Sequence, residues 1–221
     1  MTAERTSVPG PAGEIDALWL APEPTRAVLV YAHGAGAGMT HAFMEKSAAV
    51  LAAGGIATLR YQFPYMQAGK KRPDRAPRLE ATVRAAAAWA ADRAGGVPLL
   101  AGGKSMGGRM TSRAAAAEPL PGVAGLVLVG FPLHPAGKPG TERAAHLAQV
   151  TIPMLFLQGT RDRLADLDLL EPVLSPLPRA RLHVVDGADH SFHVLKRSGR
   201  TDEDVLGELG DAIAAFAGAC G

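Results

Sequence analysis

The stretch Val97–Arg109 combines a short apolar run, a glycine-lined turn with one serine, and the start of a helix. Within it, Gly103, Ser105 and Gly107 form the pattern G-x-S-x-G. In a nucleophile elbow, this serine occupies a strained strand-to-helix turn that exposes its hydroxyl above the sheet. The flanking glycines let neighbouring backbones approach without a Cβ clash. The stretch therefore predicts a nucleophilic serine where a buried strand gives way to a helix.

Two other interpretations of the glycine-rich segments fail on spacing. A P-loop that ends in Gly103-Lys104-Ser105 needs glycine at the position of Pro98. A dinucleotide-binding G-x-G-x-x-G that starts at Gly34 needs glycine where Met39 stands. The sequence thus predicts neither kind of nucleotide site, and we expect no cofactor and no metal.

Length and composition narrow the class of protein. The 221 residues suit a single domain, with residues 1–13 expected to be a loose, Pro/Gly-rich lead. A net charge of +2 gives no general argument for nucleic acid or a membrane surface as a partner. The one cysteine, Cys220, excludes an internal disulfide and fits a reducing compartment. With no signal-peptide pattern and no apolar run of membrane-spanning length, we expect a cytoplasmic protein.

Apolar runs alternate with helical patterns along the chain, which predicts the α/β class. The predicted strands are a weak edge strand Glu14–Leu20, then Ala27–Tyr31, Ile56–Tyr61, the strand that ends at Ala101, Gly125–Val129, Met154–Leu157 and Arg181–Val185. The predicted helices are His41–Ala53 with Thr40 as its cap, Arg78–Ala94, Met106–Glu118, Leu164–Leu174 and Asp202–Ala217. We expect a mostly parallel sheet with helices on both faces. The segment from Gly130 to Met154 is too short for a cap domain, so an open site is expected.

His190 is the candidate base for the serine. A serine hydroxyl is a weak nucleophile until a base accepts its proton, and a histidine pKa near neutrality suits that task. His190 follows the last predicted strand, and ligands in such sheets bind at the carboxyl ends of the strands. The nearby His193 is expected to be structural.

Asp162 is the candidate carboxylate that orients the imidazole. It follows the predicted strand Met154–Leu157, which gives the order Ser, Asp, His typical of one class of hydrolase. Asp166 and Asp189 are alternatives. A helix N-cap ahead of Leu164 is a competing role for Asp162, and we expect it to fill only one of the two roles fully.

Two backbone N–H groups are candidates for stabilising a developing negative charge. The first belongs to Met106, the residue after the serine. The second belongs to Ala35, in the glycine-rich loop after the strand Ala27–Tyr31. Neither role needs a particular side chain, so the sequence predicts an oxyanion hole at these positions.

Four motifs together resemble a small, cap-free α/β hydrolase, and the chain is similar to the dienelactone-hydrolase-like group. The motifs are His33-Gly34-Ala35-Gly36, Gly103-Lys104-Ser105-Met106-Gly107, Gly159-Thr160-Arg161-Asp162 and Asp189-His190-Ser191-Phe192. A narrower likeness is to the branch that includes a mammalian testis-expressed protein and a subunit of a histone-acetyltransferase complex. The segments that carry it are Arg60–Tyr65 and Lys70–Asp74.

This resemblance implies the fold and a Ser105–Asp162–His190 triad. Serine stands where true dienelactone hydrolases have cysteine, which argues against their substrate. Most members of the narrower branch have no defined activity, so the resemblance implies little about the substrate.

Six further residues are candidates for substrate binding. A run of basic residues is commonly a solvated turn, but at the mouth of a site it attracts an anionic substrate. Large aromatic side chains either line a pocket or fill the core. The six candidates are Arg60, Tyr65, Lys70, Lys71, Arg109 and Phe131. Arg72 and Arg75 lie in the same basic loop as Lys70 and Lys71.

The sequence as a whole predicts a serine hydrolase of the ester-bond class that cleaves a small carboxylic ester or thioester through an acyl-enzyme on Ser105. The alternative is a non-catalytic binding or scaffold protein, because fold does not fix function. The presence of both Ser105 and His190 favours the enzyme. A peptidase is less favoured, since the segment from Gly130 to Met154 offers little surface for gripping a peptide.

Overall fold

The computed structural model describes residues 1–221, and eight strands in it form one sheet. The strands are β1 (Glu4–Gly10), β2 (Gly13–Leu20), β3 (Ala27–Ala32), β4 (Ile56–Tyr61), β5 (Leu99–Lys104), β6 (Val123–Val129), β7 (Met154–Gly159) and β8 (Ala180–Val185). Their order across the sheet is β1-β2-β4-β3-β5-β6-β7-β8. β1 pairs antiparallel with β2, and β2 with β4, whereas all other pairs are parallel. The predicted α/β class with a mostly parallel sheet is confirmed.

Helices cover both faces of this sheet. They are α1 (Ala42–Ala53), α2 (Pro64–Gln67), α3 (Ala76–Ala91), α4 (Met106–Ala117), α5 (Leu167–Leu174) and α6 (Asp202–Gly218), with 3₁₀-helices at Glu142–Gln149 and Lys196–Ser198. Successive side chains of a strand point to opposite faces. In β3, Val28 and Val30 belong to the core that contains α3 and α4, whereas Leu29 and Tyr31 belong to the core that contains α1 and α6.

The connection from β6 to β7 contains only the 3₁₀-helix Glu142–Gln149, which packs on α4. No cap domain is inserted there, as the length of this segment predicts. No helix is both long enough and apolar enough to cross a bilayer.

Several element boundaries differ from the predicted ones. α1 is capped by His41 rather than Thr40, because the imidazole Nδ1 accepts a hydrogen bond from Phe43 N at 3.3 Å. α5 begins at Leu167, three residues later than expected, because Leu164 lies in a turn that the Asp162 side chain stabilises. The loop that precedes α3 contains the short helix α2.

The expectation of a loose N-terminal lead is wrong. Residues Glu4–Gly10 form β1, which pairs with β2 along its whole length, and Val8 is fully buried. The sequence did not predict this strand because it contains Pro9 and Gly10, and proline and glycine are depleted in strands. Proline is nevertheless tolerated in an edge strand such as β1, where its missing N–H does not interrupt a central ladder.

We expect Val8→Ala to lower the free energy of unfolding by about 2 kcal/mol, because it removes two buried methyl groups and leaves a cavity. The neighbouring Ser7 is exposed, so Ser7→Ala is the matched control and should change stability by less than about 0.5 kcal/mol. Urea unfolding followed by circular dichroism measures both. Equal stabilities for the two variants would show that the N-terminal strand is not part of the folded core.

Candidate active site

Ser105 lies at the junction of β5 and α4, in a backbone conformation that side chains rarely adopt. Its φ is 52° and its ψ is −117°, and it is one of two non-glycine residues with positive φ. The neighbouring glycines leave room for this turn. A Cβ on Gly103 would lie 2.5 Å from the Ala32 carbonyl oxygen, and one on Gly107 would lie 2.6 Å from the same oxygen. Only glycine fits at either position, as the G-x-S-x-G interpretation requires.

Three residues from distant segments meet at the carboxyl edge of the sheet. The Nε2 atom of His190 is 2.9 Å from Ser105 Oγ, and its Nδ1 atom is 2.7 Å from Asp162 Oδ2. Ser105 follows β5, Asp162 follows β7 and His190 follows β8. The structure thus brings together the serine, carboxylate and imidazole that the sequence predicts, with distances that allow hydrogen bonds along the whole chain of three groups.

The carboxylate of Asp162 is fully buried and accepts three hydrogen bonds. Oδ2 faces His190 and also accepts from Gln158 Nε2 at 2.5 Å, while Oδ1 accepts from the backbone N–H of Leu164 at 2.8 Å. Asp162 therefore faces His190 and stabilises the turn at Leu164 at the same time, because each contact uses a different oxygen of the carboxylate. The competing role of a helix N-cap is not filled, since α5 begins only at Leu167.

The alternative carboxylates have other partners. Asp189 Oδ1 accepts from the backbone N–H groups of Ser191 and His193, which shapes the loop around the imidazole. Asp166 lies 3.5 Å from His134 Nε2. Neither carboxylate hydrogen-bonds to His190, so the geometry favours Asp162.

The loop after β3, which carries Ala35, is held by two buried rings. Phe63 N donates to His33 Nε2 at 3.0 Å, so Nδ1 carries the proton and donates to the Gly34 carbonyl at 2.8 Å. Burial lowers the pKa of His33, which keeps this imidazole neutral. Tyr65 donates from its hydroxyl to the Ala35 carbonyl at 2.8 Å, and burial raises the pKa of Tyr65 to about 12.

A cleft of about 310 Å³ opens beside Ser105. The loop after β3, the start of α1 and the His190 loop form its walls. Its lining contains no Asp or Glu, and the residues are Gly34, Ala35, Gly36, Ala37, His41, Phe43, Met44, Lys104, Ser105, His190 and Ser191.

None of the six candidate substrate residues lines this cleft, and three of them are buried elsewhere. Arg60 is buried outside the cleft lining and donates to the Met39 carbonyl at 3.1 Å. Tyr65 is buried and donates to the Ala35 carbonyl, and Phe131 packs edge-on against Phe156 in the core. Their strands and helix end near the site, but the side chains point into the protein.

The remaining three candidates also lie outside the cleft lining. Lys70 and Lys71 are exposed on the loop that follows α2. Arg109 is half-buried on α4, and its pKa is lowered by burial and by the neighbouring Arg143 and Arg113. The expected ring of basic residues at the mouth is therefore not formed, because the basic loop projects into solvent.

Sequence reasoning missed Lys104, His41 and Phe43 as residues that line the cleft. Lys104 occupies the first variable position of G-x-S-x-G, which was the available signal. Its Nζ atom donates to the backbone carbonyl of His190 at 2.5 Å. Burial lowers the pKa of Lys104 to about 8. His41 and Phe43 gave no signal, because the start of α1 carries no motif.

Comparison with known proteins places the chain in a family. The model of the alpha/beta hydrolase domain matches residues 25–218, and the chain therefore belongs to the α/β hydrolases.

Solved structures of other hydrolases have the same fold. One is an α/β serine hydrolase without lid from Xanthomonas campestris, with a TM-score of 0.76, 22% identity and coverage of 98% of this chain and 95% of that chain. Another is a dienelactone hydrolase from Anabaena variabilis, with a TM-score of 0.75, 21% identity and coverage of 97% and 95%. A third is Est1E from Butyrivibrio proteoclasticus bound to ferulic acid, with a TM-score of 0.74, 16% identity and coverage of 95% and 99%.

We expect Tyr65→Phe to lower the free energy of unfolding by about 1 kcal/mol, because the Ala35 carbonyl loses its hydrogen-bond donor. Tyr61→Phe is the matched control, since the buried Tyr61 hydroxyl donates to no backbone carbonyl and faces the Thr111 side chain, and its removal should cost less than about 0.5 kcal/mol. Chemical denaturation of both variants tests this assignment. A Tyr65 variant as stable as the wild type would mean that the hydroxyl does not hold the loop.

Proposed function

We propose that this protein is a serine hydrolase that cleaves a small carboxylic ester or thioester through an acyl-enzyme on Ser105. One observation carries the proposal. Ser105, His190 and Asp162 form a continuous hydrogen-bonded chain, and a cleft opens directly at the serine. A nucleophile with its base in reach, and a base oriented by a third group, is the arrangement that nucleophilic catalysis requires.

The reaction follows from the positions of these atoms. His190 Nε2 takes the proton of Ser105 Oγ as the oxygen attacks the carbonyl carbon of the substrate. Asp162 holds Nδ1–H and stabilises the imidazolium that forms. The tetrahedral intermediate then expels its alkoxide or thiolate, which receives the proton from His190. Water, deprotonated by the same imidazole, attacks the acyl-enzyme and releases the acid with a free Ser105.

The negative charge of the tetrahedral intermediate is stabilised by the N–H groups of Met106 and Ala35. Met106 is the first residue of α4, and the first N–H groups of a helix have no partner within the helix. Ala35 lines the cleft, in the loop that Tyr65 and His33 hold in place. One such donor contributes about 2.7–4 kcal/mol to the barrier where its loss has been measured.

The open cleft favours small substrates. With no cap domain above the sheet, the cleft of about 310 Å³ is bounded only by loops and the start of α1. Est1E holds ferulic acid, a carboxylic acid, on a similar fold. A dienelactone hydrolase, named for a cyclic ester, shares the fold as well. Both similarities support an ester as the substrate of this protein.

The likeness to the testis-expressed branch and the cytoplasmic location stay predictions.

We expect a fluorophosphonate probe to label the wild-type protein at Ser105, because the neighbouring imidazole activates the hydroxyl. Intact-mass spectrometry should show one adduct, absent from Ser105→Ala. Ser191→Ala is the control, since Ser191 lines the same cleft but has no histidine partner, and it should label like the wild type. A folded wild-type protein without an adduct would support the alternative of a non-catalytic binding protein.

We expect Asp162→Asn to lower kcat for a 4-nitrophenyl ester by about 10⁴-fold, because an amide favours the wrong imidazole tautomer. The fold should persist, as judged by circular dichroism. Asp166→Asn is the matched control, since Asp166 does not bond to His190, and its kcat should remain within about twofold of the wild type. Unchanged turnover in Asp162→Asn would place the orienting acid elsewhere.

A further inference from the structure

Lys104 contributes a cation to the wall of the cleft, and the hydrolytic mechanism does not use it. The residue is adjacent to Ser105 in sequence and lines the same cleft. Its Nζ atom lies over the rings of Phe43 and Phe192, at 5.7 and 5.2 Å from their centroids. The site thus surrounds an ammonium group with apolar and aromatic walls, where a charge is costly unless it is paired.

A glycine leaves the space that the Lys104 ammonium group occupies. Gly130, at the end of β6, has a φ of +62°, and a Cβ there would lie 2.9 Å from Lys104 Nζ. The same Cβ would lie 3.6 Å from His190 Cε1, so the Lys104 amine and the His190 imidazole both pack against Gly130. Phe192 has a positive φ of 64°, which aims its ring at Phe43 in a stacked pair at 5.9 Å. Strain of this kind persists where the surrounding structure enforces it.

No carboxylate of the protein pairs with Lys104. It forms no ion pair, and its one hydrogen bond goes to the backbone carbonyl of His190. Asp162 and Asp189, the acidic groups whose charges reach it, are taken by other donors. An ammonium has three N–H donors and its single hydrogen bond uses one of them, while the cleft that Lys104 lines contains no acidic side chain.

We propose that Lys104 is the substrate-selecting residue of this cleft and that the preferred ester or thioester carries a carboxylate close to its scissile carbonyl. The inference rests on the proposed function in taking Ser105 as the reacting centre. The ligand carboxylate accepts the two unused N–H donors of the ammonium and supplies the missing counter-charge. Lys70 and Lys71, the basic residues first expected to select an anion, lie outside the cleft lining.

The binding experiment is independent of turnover. In the Ser105→Ala background, the probes are 2-acetoxybenzoate, whose carboxylate lies beside the acetyl ester, and its neutral methyl ester, titrated calorimetrically at pH 7. We expect the anion to bind at least about tenfold more tightly than the neutral ester, because charge-assisted hydrogen bonds in a desolvated site contribute at that level. Adding Lys104→Met should abolish this ratio. Lys138→Met removes an exposed lysine outside the cleft and should preserve it.

The pH dependence gives a second readout of the same group. Burial lowers the pKa of Lys104 to about 8, while the opposing charges of Asp162 and Asp189 favour its protonated form. The probe carboxylate stays ionised throughout, so the preference for the anion should be close to its maximum at pH 7 and fall as the pH rises to 9. The His190 imidazole packs against the same glycine as the amine, and His41 lines the same cleft. The neutral ester, titrated in parallel, therefore reports changes that do not depend on the ligand charge.

Hydrolysis kinetics separate recognition from a purely structural role. If Lys104 only positions His190 through its carbonyl, Lys104→Met lowers kcat/KM equally for both esters, and the proposal is overturned. Equal binding of the two probes to Ser105→Ala also overturns it, whether or not the wild type hydrolyses them. A retained, Lys104-dependent binding ratio in a protein that hydrolyses neither ester would support the anion site and refute the proposed hydrolysis.

Discussion

The strained backbone of Ser105 is the constraint on which the rest of the site depends. β5 ends and α4 begins with a single residue between them, so the serine adopts a positive φ and its hydroxyl faces outward. The turn is possible only because Gly103 and Gly107 allow the Ala32 carbonyl to approach closely. Strain at one residue costs on the order of 1–3 kcal/mol, and the buried packing of β3, β5 and α4 supplies the compensation.

The groups around this serine are held by partners that have no direct part in the chemistry. Asp162 is fixed by Gln158 and by a backbone N–H, so it presents one oxygen to His190 in a single orientation. The Ala35 loop is fixed from behind by Tyr65 and by a neutral buried histidine. Such supports lower the reorganisation needed during a reaction, which is the main physical advantage of a preformed site.

The electrostatics of the cleft are asymmetric. The only nearby carboxylates lie behind the imidazole or within its loop, and their hydrogen-bond capacity is used by the protein. The cleft itself is lined by small and apolar residues, two histidines and the ammonium of Lys104. Because a low dielectric strengthens electrostatic interactions, a single partly buried cation interacts more strongly with a charged group beside it than exposed lysines outside the cleft do.

The sequence by itself determined the sheet class, the elbow and the two residues, His190 and Asp162, that converge on Ser105, because apolar runs, glycine spacing and the order of loops after parallel strands can be read along the chain. It failed at the N-terminal strand, whose pairing with β2 is a contact between segments. It also failed for Arg60. This residue lies near the carboxyl end of β4, as expected, but its side chain is buried and donates to the Met39 carbonyl. Only the tertiary structure decided which cation faces the cleft, because the direction of a long side chain depends on the space that its neighbours, here Gly130, leave for it.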